Sequence, residues 1–184
     1  MKKNKIVILL VLFVAFLIPS LTSCKKKDEL TTYKTSMVES LKSVTALSST
    51  ITVKDQDAVV YEYVKTITIN QDDSAYVKID TKELDKNFNL STKTTSQSIE
   101  KVNREEFLEI NLKKEYFNKY SLDNKNFTGE ISKDNMKNVF NTDITIKDIA
   151  NLVITFENDK IARMDCTCKT ETGKTMTICT VYEY

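Results

Sequence analysis

Three of the four cysteines lie near the C-terminus, as Cys166-x-Cys168 and Cys179, and thiols are the most reactive side chains this chain offers. They could close a disulfide, hold a soft metal or act as nucleophiles. Metal binding by Cys166-x-Cys168 is disfavoured, because one further thiolate is available nearby and the chain contains no histidine. The same absence removes Ser-His-Asp and Cys-His nucleophile pairs. Carboxylates adjoin at Asp72-Asp73, Glu105-Glu106 and Asp55/Asp57, yet no nucleophile or metal ligand accompanies them, and such pairs are usually solvated turn residues. Two glycines cannot build a G-x-G-x-x-G or Walker loop. The expectation is no enzyme, no metal and no cofactor.

The other cysteine sits elsewhere. Met1 to Lys5 carries three lysines and no acid, Ile6 to Ile18 is an unbroken apolar run, and Pro19-Ser20 leads to Leu21-Thr22-Ser23-Cys24. A cationic start, a short apolar region and small residues before a cut mark a secretory signal peptide. The run falls short of the roughly 20 residues a membrane-spanning helix needs. Leu21, Thr22, Ser23 and Cys24 resemble the bacterial lipobox. That resemblance implies a diacylglycerol on the Cys24 sulfur and removal of residues 1–23. Two acyl chains suffice for stable anchoring where one does not. Residues 24–28 then form a lipidated tether, and 29–184 a single domain on the outer face of the bacterial cytoplasmic membrane, or on an outer membrane if the cell has one. Lys25-Lys26-Lys27 either touches anionic headgroups, at about 1 kcal/mol per charge, or serves as a solvated spacer.

Without the leader lysines the chain carries 24 basic and 26 acidic residues, a net charge of −2. That balance leaves no basic footprint for nucleic acid. The remaining length is enough for one hydrophobic core.

Hydrophobic periodicity predicts the elements that would position any site. From Asp28 to about Leu47, apolar residues at 30, 33, 37, 41 and 44 fall at steps of three and four, one stripe of an amphipathic helix. The stripe is expected to face the domain's own sheet, with the membrane surface as the alternative. From Ser49 the period becomes two. Val59 to Ile69, Ala75 to Ile79 and Phe88 to Ile99 read as a meander of antiparallel strands wetted on one side, and Ser49 to Val53 as an earlier strand. Residues 103–122 fit a short helix and a strand equally well. Phe127 to Ile131 reads as a strand, Ser132 as N-cap of a short helix through Phe140, and Thr145 with Asp148 as the start of one more turn. Leu152–Phe156, Ile161–Thr170 and Lys174–Tyr184 form a closing three-stranded meander. The fold class is α+β, a curved antiparallel sheet in an unclosed half-barrel, with the N-terminal helix and one or two short helices on one face.

Turn length decides the cysteines. A two-residue turn at Thr172-Gly173 sets Cys166 opposite Cys179, about 4.5 Å apart at Cα and compatible with a bridge. A three-residue turn ending in left-handed Gly173 sets Cys166 opposite Ile178 and Cys168 opposite Met176. The second register gathers Met164, Cys166, Cys168, Met176, Ile178 and Tyr182 on one face, so it is preferred, with reduced cysteines as small buried hydrophobes.

The order of elements across Asp28 to Tyr184 also resembles the LolA/LppX-like group of exported lipid-binding proteins and lipoproteins. The resemblance implies an apolar cavity between sheet and helices that holds a lipid or other apolar ligand. Tyr61, Tyr63, Phe107, Tyr116, Phe117, Tyr120, Phe140 and Tyr182 are the aromatic supply for its wall, unless they fill an ordinary core. The competing function is a surface lipoprotein with no small ligand, which adds its Thr/Ser/Lys-rich strand 90–98 to a partner's sheet. An exposed edge strand would favour that second reading, and a cavity of several hundred Å³ the first.

Overall fold

In the computed structural model the described residues are 29–84, 89–108, 110–123, 126–140 and 144–184. The leader with its Leu21-Thr22-Ser23-Cys24 motif, the 24–28 tether and Phe88 lie outside them. Nine antiparallel strands form one sheet: β1 (Ala46–Asp55), β2 (Ala58–Ile69), β3 (Ala75–Leu84), β4 (Leu90–Ile99), β5 (Phe117–Leu122), β6 (Asn126–Ser132), β7 (Ile146–Glu157), β8 (Lys160–Thr170) and β9 (Thr175–Glu183). Their order is β4-β3-β2-β1-β9-β8-β7-β6-β5. One meander runs outward from β1 to β4. The chain then crosses to the far edge and winds back from β5 to β9, which closes against β1. β4 and β5 form the two edges, so the sheet is not closed into a barrel.

Two short helices accompany the sheet, α1 (Glu29–Leu41) and α2 (Met136–Phe140). α1 buries Leu30, Met37, Ser40 and Leu41. Ser40 Oγ donates to the Met37 carbonyl at 2.7 Å and accepts the Ile161 amide at 3.3 Å, tying the helix to the start of β8. The helix ends at Leu41, short of the expected Leu47. Ser43 and Val44 amides turn back to the carbonyls three residues earlier, and the Thr45 amide bonds Glu183 in β9. Strand partners on both sides of Leu47, Ile67 and Tyr182, outweigh its helical spacing. Leu47, Ile67 and Tyr182 form a buried apolar row across three strands. Each such side chain contributes about 1.5–3 kcal/mol by leaving water.

One expected helix start holds in position and the other is corrected. Ser132 stands at the N-cap position, extended (φ −70°, ψ 158°) and without a side-chain cap bond, before a 3-10 turn, Lys133–Asn135, that runs directly into α2, which ends at Phe140. Thr145 to Asp148 starts no helix: β7 begins at Ile146, which is 1% exposed and opposes Thr170. Burying Ile146 in the sheet prevails over the weak local start signal. The ambiguous middle resolves into 3-10 turns at Arg104–Leu108 and Lys114–Tyr116, followed by β5.

Arg104 fastens the crossing segment to the β2–β3 turn. Its guanidinium pairs with Asp73 at 2.8 Å and donates to the carbonyls of Val44 and Asn70. Asp73 itself sits at φ +62°, a left-handed position that aspartate tolerates better than most residues.

Candidate functional site

Two features of the sheet could meet another molecule: a crevice on its packed face and the free edge of β4. The crevice encloses about 150 Å³. Ser49 and Ile51 of β1 line it with Tyr63 and Lys65 of β2, Met164 of β8 and Ile178 of β9. Phe140, the last residue of α2, and Ile144 complete its lining. Register explains the convergence. Ile51 stands opposite Tyr63 on one side and Ile178 on the other, and Ser49 stands opposite Lys65. Thr180 donates its hydroxyl to Ser49 Oγ at 3.1 Å, which leaves the Ser49 proton directed elsewhere.

The aromatic residues singled out in the sequence do not share one wall. Tyr63 and Phe140 meet at the crevice, while Tyr61 lies half-buried on the same face of β2, opposite Glu83. Phe117 and Tyr120 join Tyr33, Phe127 and Phe156 in a separate cluster with ring centroids 5.1–6.4 Å apart. Tyr33 donates to the Ile154 carbonyl at 3.3 Å there, and burial raises its pKa. Tyr182 donates to the Phe107 carbonyl at 3.3 Å, both residues buried in the core, and Tyr116 lies under the Lys113 ammonium. Lys65, Ser49, Ile144, Met164 and Ile178 were not among the candidates. Strand alternation marks their faces but not which distant strands converge.

A larger depression of about 380 Å³ lies over β5, β6 and β7 on the opposite face, where Lys119, Ser121, Thr128, Glu130, Asn151 and Val153 contribute. Lys119 and Glu130 neutralise each other across it at 2.7 Å. Tyr120, Gly129 and Leu152 complete its lining, so hydrocarbon and polar groups both border it.

The cysteines adopt the three-residue-turn register. Gly173 takes φ +81°, its amide bonds the Thr170 carbonyl at 2.9 Å, and Cys166 and Cys168 face Ile178 and Met176. Cys179 stands opposite Asp165, and all three thiols are free. Burial pushes Cys166 upward, helped by Cys168, and pushes Cys168 up to about 11. Cys179 is raised by burial and then by Asp165. Thiols held protonated are poor nucleophiles and poor ligands.

Of the carboxylate candidates, Asp72, Asp73 and Asp55 are drawn into a turn and ion pairs. Asp72 accepts from the Ser74 amide and hydroxyl, and the hydroxyl bond leads in holding its carboxyl below the usual range. Asp73 pairs with Arg104, and Asp55 reaches Lys174 at 3.6 Å. Among the described residues no three metal-ligating side chains converge, and no helix is long and apolar enough to cross a membrane.

β4 pairs through all ten residues with β3, without a bulge, and among the described residues its other edge is unpaired. Leu90 to Ser98 is exposed throughout, and Lys93 is its one charge. Natural edges are commonly blunted by proline, bulges or several charges, and this one is nearly unprotected.

No protein-family model matches the chain, and no curated protein matches it. Among solved structures, a redesigned β-barrel, mFAP1, bound to DFHBI shares 10% identity, covering 79% of this chain and 97% of that one, with a TM-score of 0.27. The dehydratase domain from the CurK module of curacin polyketide synthase shares 8% identity, covering 76% and 74%, with a TM-score of 0.24. At such scores neither likeness supports a statement about fold or function.

Proposed function

We propose that this protein is a bacterial surface lipoprotein, anchored through Cys24, that works as an interaction module by offering β4 to an extended segment of a partner protein. The carrying observation is the edge itself: ten continuous residues, no bulge, one charge, and a row of backbone donors and acceptors that no other described strand pairs with. The anchor rests on the lipobox resemblance and sets the domain at the outer face of the cytoplasmic membrane, or of an outer membrane in a diderm cell.

Two experiments test the two halves. Mass spectrometry of the membrane-extracted N-terminus should find a diacylglycerol on Cys24, and Cys24→Ser should release the protein from the membrane. An unmodified, uncut N-terminus would remove the anchor. For the edge, a photo-crosslinking residue at Ser96 of the full-length anchored protein should capture a defined partner segment. Alternate amides of a strand point to opposite sides. One of Thr94→Pro and Thr95→Pro, the one whose amide faces away from β3, should therefore abolish capture without unfolding the sheet. Capture that survives both prolines rules out edge pairing.

A second reading is an apolar ligand or lipid held in an unclosed half-barrel between sheet and helices. The crevice between Tyr63, Phe140 and Ile178 supports it, although about 150 Å³ is below the usual ligand-pocket range of roughly 300–1,000 Å³. Native mass spectrometry of the full-length protein, with organic extraction of released material, separates the readings: a discrete small adduct supports the ligand and a clean mass sinks it.

A further inference from the structure

We infer that the segment β4 receives is β4 of a second copy of this chain, the two strands running antiparallel about a two-fold axis normal to the sheet. This rests on the edge-pairing reading above and goes beyond it by naming the partner. A strand added to a sheet edge is held by backbone bonds and selected by pockets for its alternate side chains. β4 supplies the bonds and little selection. Leu90 to Ser98 is exposed throughout, so these residues build no walls around a guest side chain. Six of the ten residues carry a hydroxyl: Ser91, Thr92, Thr94, Thr95, Ser96 and Ser98. Hydroxyl residues pair favourably across antiparallel strands, so the strand that suits this edge is one of the same composition.

Charge and symmetry fit a copy. Because side chains alternate between faces, two identical antiparallel strands align their faces only when one residue meets its own counterpart on the axis. Centred on Thr94, Lys93 opposes Thr95 and Leu90 opposes Ser98. Centred on Thr95, Lys93 opposes Gln97 and Ser91 opposes Ile99. Either way the one charge of β4 meets a neutral residue, and the destabilising like-charge pair is avoided. The axis also leaves both packed faces on one side of the joined sheet. α1 is buried in the packed-face core and starts five residues after Cys24, so both anchors emerge toward one bilayer. The opposite edge fits less well. β5 has six residues, a register shift between Phe117 and Lys119, and a lysine at that shift. A head-to-tail β4–β5 join, which would have to close into a ring or run on as a filament, therefore lacks a continuous partner strand.

The test uses two differently tagged full-length copies expressed in one membrane. Photo-crosslinking from Ser96 is expected to give an adduct of twice the chain mass that carries both tags and joins β4 to β4. In separate single variants, Lys93→Cys, Thr94→Cys, Thr95→Cys and Ser96→Cys, disulfide dimer should peak at position 94 or 95 and fall away on either side, because only the residue on the axis meets itself. Lysine at the peak position, as Thr94→Lys or Thr95→Lys, should lower the Ser96 adduct several-fold, and glutamate there should do the same. Mixing the lysine and glutamate copies should restore it, an outcome that a loss of folding would not produce. An adduct joining Ser96 to a different protein overturns the second copy and leaves the edge reading standing. No adduct from Ser96 overturns both. Equal disulfide yield at all four positions overturns the two-fold pairing.

Discussion

Cys166 lies opposite Ile178 across the β8–β9 hairpin, which places Cys179 opposite Asp165 on the other face of the sheet. The two thiols nearest in register thus point apart. Alkylation under native conditions followed by denaturing alkylation with a second reagent should leave Cys166 and Cys168 with the second label only. Cys179, half-buried, should take a share of the first. Any peptide pair joined through Cys166 and Cys179 in a non-reducing digest would contradict the register.

The same burial makes the fold alkali-sensitive. Cys166 and Cys168 ionise well above their ordinary value of 9.0, because burial disfavours the thiolate. Below that pH neither state releases a proton and stability is flat in these groups. Above it the unfolded chain loses protons that the folded chain keeps, so stability falls. The slope is about 1.4 kcal/mol per pH unit for each thiol. It persists for Cys168 up to about 11 and for Cys166 beyond that. Urea midpoints measured from about pH 8 to about pH 10.5 should decline, and a Cys166→Ala/Cys168→Ala variant should show a shallower decline. Parallel curves would assign the effect to other groups.

Gly129 is held by space, not by backbone conformation. A methyl group there would meet Phe117 Cδ1 at 2.7 Å and Phe127 Cε1 at 2.8 Å. Gly129→Ala should cost about 1–3 kcal/mol, the usual penalty for overpacking. Adding Phe117→Leu should recover part of it, since Phe117 lies on edge strand β5. Urea denaturation measures both, and a neutral Gly129→Ala would show that the rings yield freely.

Arg104 binds one carboxylate and two carbonyls from a mostly buried position, its side chain 19% exposed. Lysine can supply the charge but not the fork. Arg104→Lys and Arg104→Ala should therefore both destabilise, by about 1–3 kcal/mol as polar groups lose their partner. Hydrogen exchange should rise in the β2–β3 turn and around Val44 in both variants. Protection equal to wild type in Arg104→Lys would reduce the residue to a point charge.

Much of the architecture was legible in the amino-acid order because strands have a strict period of two. The Val59–Ile69 and Ala75–Ile79 alternation, the closing meander and the hairpin register at Gly173 follow from side-chain segregation and turn chemistry within adjacent segments. Local signals failed where pairing over long range competed with them. Leu47 has helical spacing to Val44, yet Tyr182, far away in the chain, claims it for β1. Thr145 and Asp148 resemble a helix start, yet β7 begins at Ile146 and takes in Asp148.

The crevice shows the same division. Its residue types, an alternating Ile, Tyr, Lys and Ser, are plain in the order of β1 and β2. Their meeting with Phe140, Met164 and Ile178 depends on β9 pairing with β1. Composition alone removes histidine chemistry and glycine-rich phosphate loops, because absent side chains need no fold to be absent. Which aromatic rings face a cavity and which merely fill the core is decided by the β1–β9 junction, since only that contact brings the two meanders onto one face.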